Sequence, residues 1–109
     1  GYGGVVPSYR TVLTVAALRP GRSPGDVEDA ARAAVEATTT LEAFQVGIVA
    51  GEPHVTVRFT GVDDAEAREV HERVTVAVDA VAETPRRLLG KVVAGRTVPL
   101  ATGPSAWRE

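Results

Sequence analysis

The chain has 109 residues, a formal net charge of −2, 44% hydrophobic residues and 24% charged residues. This length and composition are typical of one globular domain and exclude an intrinsically disordered chain. The absence of cysteine excludes disulfides and thiolate metal sites, and the small negative charge gives no reason to expect general attraction to nucleic acid or membranes.

The N-terminal part is predicted to form a strand followed by a helix. Residues 1–8 are glycine-rich and predict a flexible lead-in, whereas residues 9–18 are rich in Thr, Val and Leu and predict one strand. Because both faces of that strand are apolar, we expect it to be central in its sheet. Ser23 and Pro24 favour a helix start. The helical spacing predicts a buried stripe of small apolar residues: Val27, Ala30, Ala31, Ala34 and Val35.

A β-hairpin is predicted in the middle of the chain, where apolar and polar residues alternate most regularly. Residues 44–49 form its first strand, residues 54–60 its second, and residues 51–53 the turn. The apolar set on the second strand, which we expect to face the helices, is Val55, Val57 and Phe59. The alternate set, which we expect to face away, is His54, Thr56, Arg58 and Thr60, with Gln45, Gly47 and Val49 on the first strand.

A second helix is predicted after the hairpin. Asp63, followed three residues later by Glu66, predicts its N-terminus through a pattern like a capping box. Pro85 cannot continue the helix, so we expect it to end near Glu83. The predicted buried stripe of this helix is Ala67, Val70, Val74, Ala77, Val78 and Val81.

The C-terminal part is predicted to add one long and one short strand. Residues 88–93 predict a fourth strand, and residues 97–100 a short fifth strand that Pro99 would confine to a sheet edge. Residues 101–109 predict a polar tail. We therefore expect a single α+β domain over residues 9–100.

The predicted order of the four main strands and two helices is β-α-β-β-α-β. With right-handed crossovers this order gives a ferredoxin-like sandwich, in which a four-stranded antiparallel sheet carries both helices on one face. The other face would combine Thr, Val and Ala with Arg58, which is too apolar for a fully solvated surface and too polar for a core. We therefore expect two copies to pair, sheet against sheet or edge to edge, or a small ligand to bind there.

The loop before the first helix contains two arginines, Arg19 and Arg22, around Pro20-Gly21. Arginines and free amides at a helix N-terminus can bind a phosphate or carboxylate, whereas a plain turn with a helix cap is the simpler interpretation. The Arg-Pro-Gly turn resembles that of ACT regulatory domains, which share this strand order and bind amino acids near the loop. The likeness covers only these residues, and a second Pro-Gly and four extra residues intervene before the helix, so no family is assigned.

His54 and His71 are the only histidines in the chain. We expect both to be surface residues on opposite sides of the sheet, His54 at the start of the third strand and His71 beside the buried stripe of the second helix. Because histidine can act as acid, base or ligand near neutral pH, His71 is a candidate ligand-binding residue. Metal-binding histidine spacing and a serine-nucleophile motif are both missing, so we predict no catalytic residue, metal site or cofactor.

Arg58 is the most informative candidate on the predicted sheet face. Its guanidinium could hold an anion, stack on a ring or pair with a carboxylate of a partner subunit. The basic residues near the C-terminus are expected to form salt bridges with the acidic helices, because the domain is acidic overall and lacks the aromatic residues of sheet-face RNA binders. These basic residues are Arg86, Arg87, Lys91 and Arg96.

Three functional hypotheses follow from the sequence. The leading one is a non-enzymatic, oligomer-forming domain that binds a partner or a small ligand through its sheet. The second is a dimeric α/β-barrel enzyme acting on a small apolar ligand, which would need a pocket holding His71 or Arg58. The third is weak nucleic-acid binding through the basic C-terminal region. No membrane span or signal peptide is visible, so a cytoplasmic location is the default expectation.

Overall fold

A computed structural model describes residues 6–102 of the chain. Most of the predicted lead-in (residues 1–5) and most of the predicted tail (residues 103–109) lie outside the described residues. The elements in chain order are β1 (Ser8–Thr14), β2 (Ala17–Leu18), α1 (Pro24–Glu36), β3 (Leu41–Val49), β4 (Glu52–Thr60), α2 (Asp64–Asp79), β5 (Ala82–Glu83), β6 (Arg86–Val93) and β7 (Arg96–Leu100).

Five strands form one antiparallel sheet in the order β3-β4-β1-β6-β7. The mixed α+β class with two helices and an antiparallel sheet is confirmed. The predicted short fifth strand around Pro99 forms and pairs with β6, so the sheet has five strands. Pro99 lies on an edge strand, where its missing amide hydrogen is tolerated.

The strand predicted over residues 9–18 is in fact two strands that belong to different sheets. β1 pairs with β4 and β6, whereas β2 pairs with β5 in a separate two-stranded sheet. Around β2, the amide of Ala16 donates to the carbonyl of Glu83 at 2.9 Å, and the amide of Arg19 to that of Val81 at 3.0 Å. The run of β-forming residues is continuous, so it does not reveal where the pairing partner changes.

Both helices begin where the capping residues predict. The amide of Ser23 donates to the carboxylate of Asp26 at 3.0 Å, and the carboxylate of Asp63 accepts from the amide of Glu66 at 2.8 Å. Both contacts give a hydrogen-bond acceptor to a backbone amide that would otherwise be left to water at the start of the helix.

Helix α2 ends at Asp79, four residues before the predicted end at Glu83. The amide of Val81 closes a last turn onto the carbonyl of Val78 at 2.9 Å, after which the chain extends into β5. Val81 is buried although it lies after the end of the helix. Its apolar spacing therefore resembles a continuation of the helical stripe, and the sequence predicts too late an end.

The hairpin between β3 and β4 turns at Ala50 and Gly51 rather than at residues 51–53. These two residues have positive φ angles of 52° and 80°, as a two-residue hairpin of the primed type requires. Glu52 and Pro53 already belong to β4.

One hydrophobic core lies between the sheet and the two helices. It contains Tyr9, Leu13, Val27, Ala31, Val35, Val55, Val57, Phe59, Ala67, Val70, Val74, Val78, Val81, Ala82 and Leu89. The alternation in β4 is therefore as predicted, with Val55, Val57 and Phe59 directed to the helices. The sheet face turned away from the helices is called the open face below. On β1 and β4 it carries Ser8, Arg10, Val12 and Thr14, and His54, Thr56, Arg58 and Thr60.

Candidate functional site

Two arginines face each other across β1 and β4 in the middle of the open face. Arg10 lies directly opposite Arg58 in the strand register. The Arg58 Nε donates to Glu42 Oε1 at 3.1 Å, and that oxygen also accepts from the Ser8 hydroxyl at 2.7 Å. The carboxylate beside Arg58 therefore comes from the same chain.

The ion pair between Arg58 and Glu42 orients two side chains on the open face but contributes little to the stability of the fold. Both side chains are about one third exposed, at 36% and 34%. Ion pairs in such water-accessible positions contribute roughly 0–1 kcal/mol. The Glu42 carboxylate therefore orients the Arg58 side chain on the open face, and part of that side chain reaches solvent.

Arg10 is a site residue that the sequence did not single out. Its Nη1 donates to the Thr97 hydroxyl on β7 at 2.6 Å, reaching across the small residue Gly90 of β6. Arg10 is the one charged residue of β1, and this was a usable signal. The position of Arg10 beside Arg58 could not be predicted, because it depends on the register between strands that are far apart in the sequence.

His54 borders a shallow hollow on the open face. The hollow measures about 460 Å³ and is lined by Val12, Gln45, Val46, Gly47, Val49, His54 and Thr56. It exists partly because Gly47 carries no side chain. His54 lies 3.4 Å from the Thr14 hydroxyl through its Nε2 atom, and its position on the open face is as predicted.

His71 is buried in the core, so the prediction that it is a surface residue is wrong. It is 3% exposed, and its Nδ1 lies 2.9 Å from the Thr11 hydroxyl of β1. Burial, with a smaller contribution from the positive charge of Arg87, lowers the pKa of His71 to about 4. His71 is therefore neutral near pH 7, and the structure does not bring it to Arg58, Arg19 or Arg22.

Arg19 serves the C-terminus of α2 rather than an anion site. Its Nε donates to the backbone carbonyl of Asp79 at 2.7 Å, and its Nη2 lies 3.3 Å from the carboxylate of the same residue. A cation at this end of a helix is favourable, and α2 has no basic residue in its own last turn. Arg22 is exposed in the adjacent turn, in which its amide donates to the carbonyl of Arg19.

Replacing Arg19 should therefore affect stability, whereas replacing Arg22 should not. We expect Arg19→Ala to lower the free energy of unfolding by about 0.5–1 kcal/mol, because it removes the charge and the hydrogen bond from the end of α2. Arg22→Ala is the matched control and should stay within about 0.5 kcal/mol of the parent. Urea unfolding followed by circular dichroism measures both, and equal effects of the two changes would contradict this role of Arg19.

The basic residues near the C-terminus are distributed over both faces of the sheet. Lys91 forms a salt bridge with Asp64 at the start of α2 at 3.2 Å, which confirms the predicted pairing with a helix for this residue. Asp64 also accepts from the Tyr9 hydroxyl at 2.8 Å. Arg86 instead pairs with Glu52 of β4. These residues do not form one continuous basic surface.

An apolar cleft of about 280 Å³ opens between the sheet and the N-terminus of α1. It is lined by Val15, Ala16, Ala17, Leu18, Pro24, Val27, Phe44, Val46, Pro53 and Val55. Neither His71 nor Arg58 lines it, so the cleft lacks the polar group that the enzyme hypothesis requires.

The two edges of the five-stranded sheet differ in how well they are protected. β7 is a five-residue edge that contains Pro99 and Arg96, two features that discourage pairing with another strand. β3 is a nine-residue edge without proline, lysine or arginine. Its distal half is exposed although apolar: Val46 is 63%, Ile48 69% and Val49 53% exposed. The β3 edge is therefore the surface least suited to remain in water.

Comparisons with known proteins add no assignment, since no family model, curated protein or solved structure matches this chain. Among residues 6–102, no cluster of three or more histidine, cysteine, aspartate or glutamate side chains could hold a metal ion. In the same part of the chain, neither helix has the length and apolar character needed to span a membrane.

Proposed function

We propose that this chain is a non-enzymatic, oligomer-forming domain of ferredoxin-like topology, which binds its partner through the β3 side of the sheet. The strand order supports the topology, because β1 and β4 are interior and each is followed by a helix on the same side of the sheet. β7 is then an added edge strand. β2 lies in the connection between β1 and α1, and β5 in the connection between α2 and β6.

The unprotected β3 edge is the observation that carries this proposal. An edge strand presents a row of unpaired backbone amides and carbonyls, and proteins usually shield such rows with charge, proline or a covering segment. β3 has one charged side chain, Glu42, which Arg58 already engages. The register of β3 against β4 shifts once, between Leu41 and Ala43, so residues 43–49 form a regular and apolar edge. Such an edge is stabilised when a further strand pairs with it.

The distribution of candidate groups favours binding over catalysis. Arg58 lies on the open face, His71 in the core, and Arg19 at the end of α2. General acid–base or nucleophilic catalysis needs its groups within hydrogen-bonding reach of one reacting centre. Such a centre would have to form between residues that lie on different faces of this sheet.

Self-association is the direct test of this function. We expect native mass spectrometry and light scattering to show a dimer at micromolar concentrations, with a monomer increasing on dilution. An interface of ordinary size would bury about 1,600 Å² in total. A monomer at every concentration up to the solubility limit would contradict the proposal.

A further inference from the structure

We propose that β3 pairs antiparallel with β3 of a second copy around a two-fold axis at Val46, so that two sheets join into one. This inference rests on the proposed function and names the partner and the register. It follows from the direction of the backbone amides on β3, the side chains that each register would bring together, and the open side of the apolar cleft.

The hydrogen-bond alternation of the sheet determines which β3 amides are free. The amide of Val15 donates to the carbonyl of Pro53 at 3.0 Å, so this pair and every second pair along β1 and β4 exchange hydrogen bonds. His54, Thr56 and Arg58 must then direct their amides to β3. The contact of the Thr60 amide with the Thr40 carbonyl, at 3.1 Å, agrees with this phase.

The β3 residues opposite these positions are Gly47, Gln45 and Ala43, whose backbone groups point inward to β4. Three β3 residues therefore direct their amides and carbonyls away from the sheet: Phe44, Val46 and Ile48. The same alternation, continued through β1 and β6 to β7, places the nitrogen of Pro99 on the outer side of the opposite edge. A proline at that position is what an outward-facing nitrogen permits.

A register centred on Val46 uses all three outward-facing residues. It pairs Val46 with the partner's Val46, and Phe44 with the partner's Ile48, each as a hydrogen-bonded pair. A two-fold antiparallel contact is self-complementary, so the same pairs recur on both sides of the axis. If the axis moves by one residue along β3, only two of Phe44, Val46 and Ile48 pair with each other. The third then lies opposite a residue outside this set.

The side chains in this register are compatible on both faces. Phe44, Val46 and Ile48 lie on the helix side of the sheet, where their pairing forms an apolar ladder across the two copies. On the open face, Gln45 lies opposite the partner's Gly47, and Ala43 opposite the partner's Val49. Glu42 falls opposite the hairpin turn of the partner, so no two like charges meet directly.

Pairing also completes the apolar cleft. Phe44 and Val46 form the wall of the cleft nearest the sheet edge. The partner's Ile48, placed beside Phe44 on the helix side, would cover that open side. Exposed apolar surface is thereby removed from water on both copies, which favours association.

Stacking of two open faces is the less favourable arrangement. Arg10 and Arg58 lie side by side near the middle of that face. A two-fold axis through this region would bring four guanidinium groups together, and the nearby Glu42 supplies only one carboxylate per copy. The edge therefore suits a second copy better than the face.

The register can be tested with single cysteines, because the chain has no native cysteine. Cα atoms of a hydrogen-bonded antiparallel pair are about 5.5 Å apart, within the range of a disulfide. We expect Val46→Cys to form a cross-linked dimer under mild oxidation at least about tenfold faster than Val62→Cys, a control whose parent residue is 70% exposed and lies after β4. Equal rates would overturn the register.

A charge placed on the edge tests whether it is needed for association. Ile48 and Val62 are 69% and 70% exposed, so lysine at either position should leave the fold intact. We expect Ile48→Lys to raise the apparent dimer Kd at least about tenfold and Val62→Lys to leave it within about twofold. If the parent is dimeric but neither Ile48→Lys nor Val46→Cys behaves as stated, this inference fails while self-association stands. A monomeric parent instead contradicts the proposed function itself.

Discussion

Lowering the pH from about 7 to about 4 should reduce the free energy of unfolding by about 3 kcal/mol through His71 alone. In the folded protein the pKa of His71 is about 4, whereas its ordinary value is 6.5. Below pH 6.5 the unfolded chain binds a proton that the folded protein does not. The free energy of unfolding therefore falls with the pH between these two values, by about 1.4 kcal/mol per pH unit. Above pH 6.5 the contribution of His71 is fully present.

The groups around His71 support this direction. Its ring lies against Thr11 of β1, and the positively charged Arg87 of β6 disfavours a second cation in the same region. Asp64 does not contribute to the change in stability between pH 7 and about 4, because its pKa is lowered from 3.8 by the hydroxyl of Tyr9 and the ammonium group of Lys91. The stability that Asp64 contributes is present above that value and is lost only at lower pH.

Urea unfolding at a series of pH values measures the effect, with two glutamine variants as controls. His71→Gln keeps a polar side chain near Thr11 but cannot take up the proton, so the dependence between pH 6.5 and about 4 should disappear. His54→Gln changes a residue on the open face and should retain it. A flat profile in the parent protein, or a slope that survives in His71→Gln, would show that this residue does not titrate as described.

The elements of this fold follow from local patterns, and the exceptions have physical causes. Alternation in β4 and capping at Ser23 and Asp63 act over a few residues, so the sequence shows them directly. The division of residues 9–18 into β1 and β2 depends on pairing with β5, some 65 residues later in the chain. Local strand propensity cannot predict a pairing between such distant residues. The predicted end of α2 failed for a related reason, since Val81 remains buried outside the helix.

Much of the candidate site was beyond prediction because it depends on register and on edges. Arg58 was correctly placed on the open face, but its neighbour Arg10 and its partner Glu42 come from other strands. His71 was expected at the surface because its spacing puts it beside the apolar stripe. In the structure Thr11 offers it a hydrogen-bonding partner inside the core, which offsets the cost of burying a polar ring.

Gly90→Ala should lower the free energy of unfolding by about 1–3 kcal/mol, because β7 approaches the backbone of β6 too closely for a side chain. A Cβ atom at Gly90 would overlap the Cγ2 atom of Thr97. Thr97 can relieve the overlap by rotating about χ1. That rotation removes its hydroxyl from Arg10, whose Nη1 donates to it at 2.6 Å. The change therefore strains β7 or breaks the contact that ties β7 to β1 across the open face.

Two further variants separate this overlap from the general effect of adding a methyl group to a strand. Gly47→Ala adds the same methyl group on the same face, where no other residue of the same copy lies within 4 Å of it. It should be neutral or stabilise the fold by up to about 1 kcal/mol. Thr97→Ser removes Cγ2 but keeps the hydroxyl, so it should recover most of the loss when combined with Gly90→Ala.

The parent, Gly90→Ala, Thr97→Ser and the double variant form a double-mutant cycle, and Gly47→Ala is an external control. All five are measured by urea unfolding at a single protein concentration, because association contributes to apparent stability. We expect a favourable coupling of about 1 kcal/mol or more between Gly90→Ala and Thr97→Ser. A loss in Gly90→Ala that Thr97→Ser does not reduce would mean that the cost arises elsewhere in β6. The close approach of β7 would then not be the reason for a glycine at this position.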